Sequence, residues 1–450
     1  MVSIDRLLGQ VKDDLRTLLE PQTILEQCRR VGHRWRSSPL NPAVLVQLFV
    51  LQILHGNLAC SALRHHSEES FSVSAYCQAR RRLPLAVIEA LVRRVAQTLE
   101  SVCDQQGLWR GHRLWRVDGT GVSMPDTPEL RDHFGQSKMQ PTGCGFPVAS
   151  LVVRMHAGTG MFLDMIVGPL VRHEMACAAQ LHPKMRAGDV LVGDRGFCSY
   201  AHLGLLLQKK MHAVLRLHQR IKTSFKTDRP CALDLPWGQR RGVPNSRIVR
   251  QHGRDDQVVT YFKRASMKPR WMSQADFDAL PDQIEVRELR YRIRRPGFRV
   301  RQVTLVTTLT DAERYPADEL CEIYGERWQV EVDLRSLKIS LGMDVLHCKT
   351  VEGVMKELWM FVLVYNLVRL VMLQAACRQK VPVDRISFVD AWRHLRQHGL
   401  GEVLIDLLVH PRRPDRVEPR VIKRRMKKFP LMVKPRAELR QPLIATDSTH

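Results

Sequence analysis

The sequence predicts an α/β fold, a mixed β-sheet with helices on both faces, preceded by an all-helical region and interrupted by a β-rich stretch. Three observations predict it. Residues 1 to about 105 carry apolar side chains at spacings of three and four. From Arg113 onward, short β-branched runs are separated by Gly and Pro and then alternate with helical stretches. Between about Gln219 and Leu309 helical periodicity fades, and runs that alternate apolar with polar residues replace it.

In the N-terminal region, 1–105, the helical segments are Ile24–Cys28, Ala43–His55 and Leu85–Leu99. Between the last two lies SALRHHSEESFSVSAYCQARRRLP, polar turns followed by a short helix ending in Arg80, Arg81 and Arg82. That pattern suits a small helical DNA-binding module whose last helix offers Ser, Gln and Arg. It suits equally a solvated helix end, where basic side chains offset the C-terminal dipole.

Residues 106–218 form the first part of the core. RLWRVDGT, FPVASLVVRMHA and FLDMIVGPL read as three strands, and Glu174–Met185 as a helix. GDVLVGDRGF is a buried strand entering a turn, followed by a helix at Tyr200–Lys209 and a strand at His212–Leu217. Residues 219–309 are expected to be a β-rich insertion in which VRELRYRIRR and FRVRQVTLVTTL alternate as a hairpin does. Helices at Pro316–Leu341, Val351–Gln379 and Ile386–His398 complete the core over 310–400. The tail, 401–450, carries twelve basic and three acidic residues between Pro411 and Arg440, with Lys423, Arg424 and Arg425 at its centre. It reads as a nucleic-acid-binding arm or as a solvated, disordered tail.

Composition narrows the class. Of 450 residues, 70 are Lys or Arg and 46 are Asp or Glu, a formal charge of +24. Such an excess repels itself unless a polyanion screens it, so nucleic acid is the natural partner. A basic membrane-surface protein is the rival, but no amphipathic basic helix with a Trp/Leu face stands out. The eleven cysteines include no C-x-x-C pair, and read as buried free thiols in a reducing cytosol. The opening residues lack the basic and apolar regions of a secretory signal. Leu358–Cys377 is strongly apolar, yet Asn366 and Arg369 near its centre favour a buried core helix over a membrane span. A cytoplasmic, nucleoid-associated protein is expected.

Two aspartates stand at strand ends. Asp118 precedes Gly119-Thr120-Gly121, and Asp194 precedes Arg195-Gly196. Brought together, two such carboxylates repel, and a divalent cation relieves the repulsion. Mg²⁺ suits the task because it prefers oxygen ligands and is held by one or two carboxylates plus phosphate. Either aspartate alone reads as well as an ordinary turn or cap residue. The stretch YGERWQVEVDLRSLKISLG adds a third acid. On one helix, Tyr324, Arg327, Glu331, Arg335 and Lys338 fall within an arc of about 80°. Ile323, Val330, Leu334, Leu337 and Leu341 occupy the neighbouring arc, giving a packed stripe beside one carboxylate framed by cations. Arg327–Glu331 and Glu331–Arg335 also have the spacing of ordinary intrahelical ion pairs, each worth only about 0.3–0.5 kcal/mol.

Tyr324, Arg327, Glu331 and Lys338 match the Y-(2)-R-(3)-E-(6)-K spacing, and here the chain resembles the bacterial DDE transposases of the insertion-sequence-four family. The likeness extends to VDGTGVSMPDTPE around Asp118, LVGDRGF around Asp194 and the basic VEPRVIKRRMKKFPLM near the C-terminus. The resemblance implies a ribonuclease-H-like catalytic core interrupted by the β-rich insertion. It implies Asp118, Asp194 and Glu331 as catalytic metal ligands for two Mg²⁺ ions, with Mn²⁺ able to substitute. Tyr324, Arg327 and Lys338 would then contact DNA phosphates, and Arg335, Arg80–Arg82 and Lys423–Arg425 are read from their charge as further DNA contacts. The implied partners are the terminal inverted repeats, recognised by the N-terminal region, target DNA, and a second copy of the chain in the synaptic complex. Some family members stack a flipped base on an insertion-domain tryptophan, but Trp237 and Trp271 sit in no motif that aligns with it. Two other functions stay open: a DNA-binding protein that has lost the chemistry, and a nuclease that cuts without joining.

Overall fold

The computed structural model describes residues 19–67, 70–106, 108–137, 141, 143–292, 302–398 and 406–411, with 432, 434–435 and 438–439 besides. Lys423, Arg424, Arg425 and most of the expected basic tail lie outside the described residues.

The fold is mixed α/β around one nine-stranded sheet of order β3-β2-β1-β4-β5-β9-β8-β7-β6. Its first half is β1 (Leu114–Ser123), β2 (Val148–His156), β3 (Phe162–Pro169), β4 (Val190–Gly193) and β5 (His212–Arg216). β1, β2 and β3 form an antiparallel meander, whereas β4 joins β1, and β5 joins β4, in parallel. β4 is buried along its whole length, the pattern of a central parallel strand covered on both faces.

The second half is β6 (Ser246–Gly253), β7 (Asp256–Phe262), β8 (Gln283–Arg292) and β9 (Gln302–Thr307). The β-rich stretch is therefore not a separate sheet. β9 pairs with β5 and with β8, so these strands extend the core sheet by four. The edge of β5 is where they attach: an unpaired strand edge there would leave a row of backbone groups without partners.

Among the described residues, the longer helices of the N-terminal region are α1 (Pro21–Arg30), α2 (Pro42–Leu54), α3 (Val73–Arg82) and α4 (Leu85–Gln106). Local chemistry starts them: Pro42 follows Asn41, whose side chain accepts from the amides of Ala43 and Val44, and Ser72 caps α3 through Ala75 N. Between the strands lie α5 (Pro128–Phe134, after β1), α6 (Glu174–Leu181, after β3) and α7 (Tyr200–Gln208, after β4). Beyond the sheet lie α8 (Ala317–Gly325), α9 (Trp328–Arg335), α10 (Val351–Arg378) and α11 (Phe388–His398).

One continuous apolar core joins the N-terminal helices, α9, α10 and α11 to one face of β1–β3, so the N-terminal region packs on the sheet rather than standing apart. A second core, built from Trp115, Val117 and Leu191 with α6 and α7, lies on the opposite face. α10 is long and apolar enough to cross a bilayer, but 83% of its most apolar stretch is buried inside the fold. Its two interrupting polar residues are used there. Asn366 Nδ2 donates to Phe162 O at 2.8 Å, and Asn366 Oδ1 accepts from Phe162 N at 3.0 Å. Arg369 Nε donates to Thr159 O at 2.9 Å. Together they pin α10 to the β2–β3 turn.

Candidate active site

Asp118 and Asp194 are brought together by strand register. Arg116 on β1 stands opposite Val192 on the parallel β4. Two residues further along on each chain stand Asp118, still within β1, and Asp194, just past the end of β4, and Asp118 feels the Asp194 charge. Each carboxylate is oriented by a backbone amide: Asp118 Oδ1 accepts from Gly119 N at 2.9 Å and Asp194 Oδ1 from Gly196 N at 2.7 Å. The second bond caps a single 3₁₀ turn, Arg195–Phe197, that swings the chain away from the strand. Burial pushes the Asp118 carboxyl up to about 6; the Asp194 and Glu331 charges push the same way, against the Gly119 amide and Arg327.

The helix expected over Pro316–Leu341 is divided. α8 ends at Gly325, and three tight i→i+3 bonds follow: Arg327 N to Tyr324 O, Gln329 N to Glu326 O and Val330 N to Arg327 O, each 3.0 Å. Glycine is a weak helix former, and the chain tightens to 3₁₀ geometry just after it. α9 then runs to Arg335, and Ser336–Ser340 widens into a π turn closed by Leu341 N to Ser336 O at 3.1 Å. The periodicity of the sequence runs through both irregularities. Its apolar stripe is nonetheless buried, with Val330, Leu334, Leu337 and Leu341 in the main core and Ile323 against β4 and β5.

The break places Arg327. Its guanidinium bonds Glu331 Oε1 at 2.7 Å and stands 3.9 Å from Asp118 Oδ2, so one cation links the two acids. It also lies over the Tyr324 ring, 5.9 Å from the centroid. Burial holds the Tyr324 phenol above its ordinary range. The π turn in turn places Lys338, whose Nζ donates to Gly121 O at 2.7 Å and to Thr120 Oγ1 at 3.3 Å, on the strand of Asp118. The exit of the same segment is stitched to the end of β1 by Ser123 N to Asp344 O, 3.1 Å, and Leu346 N to Ser123 O, 2.9 Å. Arg335 is exposed.

Among the described residues, no three His, Cys, Asp or Glu side chains stand close enough together to enclose an ion. Asp118 lies near enough to Asp194 to feel its charge, while Glu331 is drawn to Arg327. The chemistry of the donors still suits a hard divalent cation, because the carboxylates are oxygen ligands and Asp194 Oδ2 takes no hydrogen bond from a described residue.

Sequence reasoning missed Glu174, at the start of α6. A Cβ placed on Gly119 would lie 2.6 Å from Glu174 Cδ, and one on Gly196 would lie 3.8 Å from Glu174 Oε2. An acid in the first turn of a helix reads as a dipole partner, so only the fold reveals what it faces.

Arg80 departs from the DNA contact expected of it. Its guanidinium donates to Gln52 Oε1 at 2.9 Å and to Cys348 Sγ at 3.2 Å, and sits 3.9 Å from the Phe49 ring centroid. The cause is the helical period: Tyr76, Ala79 and Arg80 share the inward face of α3, whereas Arg81 and Arg82 are exposed. In the β-rich stretch Trp237 is 84% exposed, and Trp271 packs against the small cluster of Met272, Phe277 and Leu280.

Comparison with known proteins adds an independent finding. A family model described as a transposase DDE domain matches residues 109–367. The transposase InsG for insertion sequence element IS4 of Escherichia coli (strain K12) is 26% identical over 376 residues, 79% of this chain and 78% of that protein. A putative transposase InsZ of the same organism is 30% identical over 137 residues, 30% of this chain and 46% of that protein. Among solved structures, the piggyBac transposase synaptic complex with hairpin DNA aligns at 10% identity and a TM-score of 0.43, covering 86% of this chain and 79% of that one.

Proposed function

The chain belongs to the DDE-domain transposases, as a bacterial member of the insertion-sequence-four family, and on that premise we propose that it performs cut-and-paste transposition with Asp118, Asp194 and Glu331 as its catalytic acids. The observation that carries the proposal is the meeting of three elements. β1 carries Asp118, the parallel β4 ends just before Asp194, and the segment bearing Glu331 is tied to β1 by Arg327 and Lys338. The strand order β3-β2-β1-β4-β5, antiparallel then parallel, supports a ribonuclease-H-like core.

The three acids would hold a pair of Mg²⁺ or Mn²⁺ ions, which when bound activate the attacking oxygen and stabilise the leaving one. Arg327 spreads positive charge between Asp118 and Glu331 and lies where a phosphate approaching both would meet it. Hydrolysis at the element's end frees a 3′-hydroxyl, which then attacks a second phosphodiester in the opposite strand or in target DNA. Each step breaks one P–O bond as another forms, with no protein ester between them. Tyr324 is accordingly a phosphate contact: burial keeps its phenol protonated, a hydrogen-bond donor rather than a nucleophile. Arg335 and Lys338 extend the same basic face, and Arg81, Arg82 and the Lys423–Arg425 run supply further charge to DNA. Recognition of terminal inverted repeats by the N-terminal helices, and synapsis of two ends by a dimer, complete the reading.

A supercoiled plasmid carrying the matching terminal repeats, with Mg²⁺, tests it. The native protein should release the element's ends and join them to target, and Asp194→Ala should lower both by orders of magnitude while still shifting end DNA in a gel. Equal cutting by the two proteins removes Asp194 from the chemistry, and cutting without joined products makes the chain a nuclease.

A further inference from the structure

We propose that the cleft between the α1–α2 loop and the C-terminal end of α3 is a clamp for the phosphate backbone of duplex DNA, with Arg34, Arg36 and Arg82 as its contacts. The clamp rests on the reading above that this chain acts on DNA, and goes beyond it in assigning a surface that holds a duplex without reading its sequence.

Charge is what sets this cleft apart. It encloses about 490 Å³, and His33, Arg34, Arg36, Ser37, Ser38 and Arg82 supply its polar lining. Among the described residues no Asp or Glu lines it. Arg34, Arg36 and Arg82 are exposed, and none makes a hydrogen bond or ion pair with a described residue. Basic residues close by are balanced within the protein. Arg30 bonds Glu26 at 2.6 Å. A second cavity at the end of α3, which Arg81, Lys349 and Lys356 line, also holds Glu129, Glu352 and Glu357, with Lys356 paired to Glu352 at 2.7 Å. Three guanidiniums around one acid-free cleft repel one another until an anion stands between them. Their planar forks match phosphate oxygens, and serine hydroxyls are common further donors to a nucleic-acid backbone. Because the three cations are exposed on two walls, they suit an extended row of phosphates rather than one enclosed ion.

Both walls are held firmly. Burial alternates along the loop: Arg34 and Arg36 are exposed, while Trp35 between them packs on the main core. The His33 ring stacks on Trp35 at 5.9 Å, and the Arg29 guanidinium lies 6.0 Å from the centroid of the Trp35 ring. On the other wall, Lys356 Nζ donates to Arg81 O at 2.8 Å and to Arg80 O at 3.3 Å, a cation placed on the last carbonyls of α3. The start of α10 is tied in turn to the segment that leaves β1, through Thr127 Oγ1 to Lys349 O at 3.1 Å and Val351 N to Glu129 Oε1 at 2.8 Å. The arginines are therefore set in place before DNA arrives, which lowers the ordering cost of binding, and they share one frame with the strand of Asp118.

The test is fluorescence anisotropy of a labelled terminal-repeat duplex and of a scrambled duplex of equal length, across a salt series, with the full-length protein. The variants are Arg34→Gln, Arg36→Gln and Arg82→Gln, singly and combined, their Lys counterparts, and Arg30→Gln as a control outside the cleft. Each Gln variant should weaken binding to both duplexes by the same factor and reduce the salt slope by about 1, so the triple variant loses about 3. The Lys variants should keep the native slope. Thermal unfolding without DNA should not change, since none of the three arginines is paired. A native slope in the triple variant overturns the clamp, as does a loss confined to the terminal repeat, which would mean base reading. An equal loss in Arg30→Gln reports net charge alone and overturns it too. If the triple variant loses affinity for duplex RNA but not for DNA, the cleft belongs to RNA. Native protein that binds neither DNA removes the DNA reading itself.

Discussion

Arg369 is the side chain whose loss the fold should feel most sharply. It is 3% exposed, on the most buried helix, and stands 3.6 Å from Asp333 Oδ1, which is 2% exposed and lies two residues beyond Glu331. Its Nε and Nη2 both donate to Thr159 O. Replacing it with Met keeps most of the volume and removes three contacts at once. Removing one partner of a buried pair costs about 3–5 kcal/mol, chiefly through the charge left uncompensated. The Thr159 carbonyl, losing its donors, contributes about 1–3 kcal/mol within that figure. Arg116 remains near Asp333 and Gln329 Nε2 still reaches it at 3.4 Å, which favours the lower end, about 3 kcal/mol. With a urea dependence of roughly 3 kcal/mol per molar, the midpoint should fall by about 1 M. Tryptophan fluorescence in a urea titration reads it. Adding Asp333→Asn to Arg369→Met should restore at least about 1 kcal/mol, because the neutral amide no longer needs a cation. A loss under about 1 kcal/mol in the single variant refutes the pairing, as does further destabilisation in the double variant.

Two further outcomes follow from packing and burial. His182 and His202 are stacked, with His202 Nδ1 donating to Phe197 O at 2.6 Å and the two Nε2 atoms 2.9 Å apart, so both rings are neutral. Burial pulls them down from 6.5 to about 2 and about 4, so the unfolded chain takes up protons the folded one refuses. Their stability is complete above about pH 6.5 and is lost as pH falls toward 4, at about 1.4 kcal/mol per histidine per unit. The difference in unfolding free energy between pH 7.5 and 5.5, read from urea titrations, should shrink in His182→Gln by about that amount; an unchanged pH dependence contradicts it. Gly193→Ala sets a Cβ 2.9 Å from Val117 Cγ1, 3.1 Å from Leu215 Cδ2 and 3.2 Å from Phe197 Cδ2, and should cost about 1–3 kcal/mol in the same titration. Gly121→Ala, whose nearest neighbour is at 3.4 Å, should cost about 0.5 kcal/mol or less, and equal losses at the two glycines would sink the distinction.

Much of the molecule was legible without coordinates. Strand and helix periodicity marks the meander β1–β3, the buried β4 and the apolar α10, because local backbone chemistry and the water-facing side of each element impose those patterns. The family likewise follows from a spacing, Tyr324 to Lys338, that survives in one dimension. What the chain could not declare is anything set by approach between distant segments. The junction of β9 with β5 depends on which strand edge needs a partner, and the break after Gly325 on where Arg327 must reach. Arg80 turns inward because Gln52, Phe49 and Cys348 surround it, although its sequence context matches that of Arg81 and Arg82. Glu174 comes against Gly119 and near Asp194 only once α6 is laid across β2 and β3. Residue type and periodicity are local properties written in order along the chain; proximity and charge balance exist only after the sheet has brought residues far apart in sequence into one place.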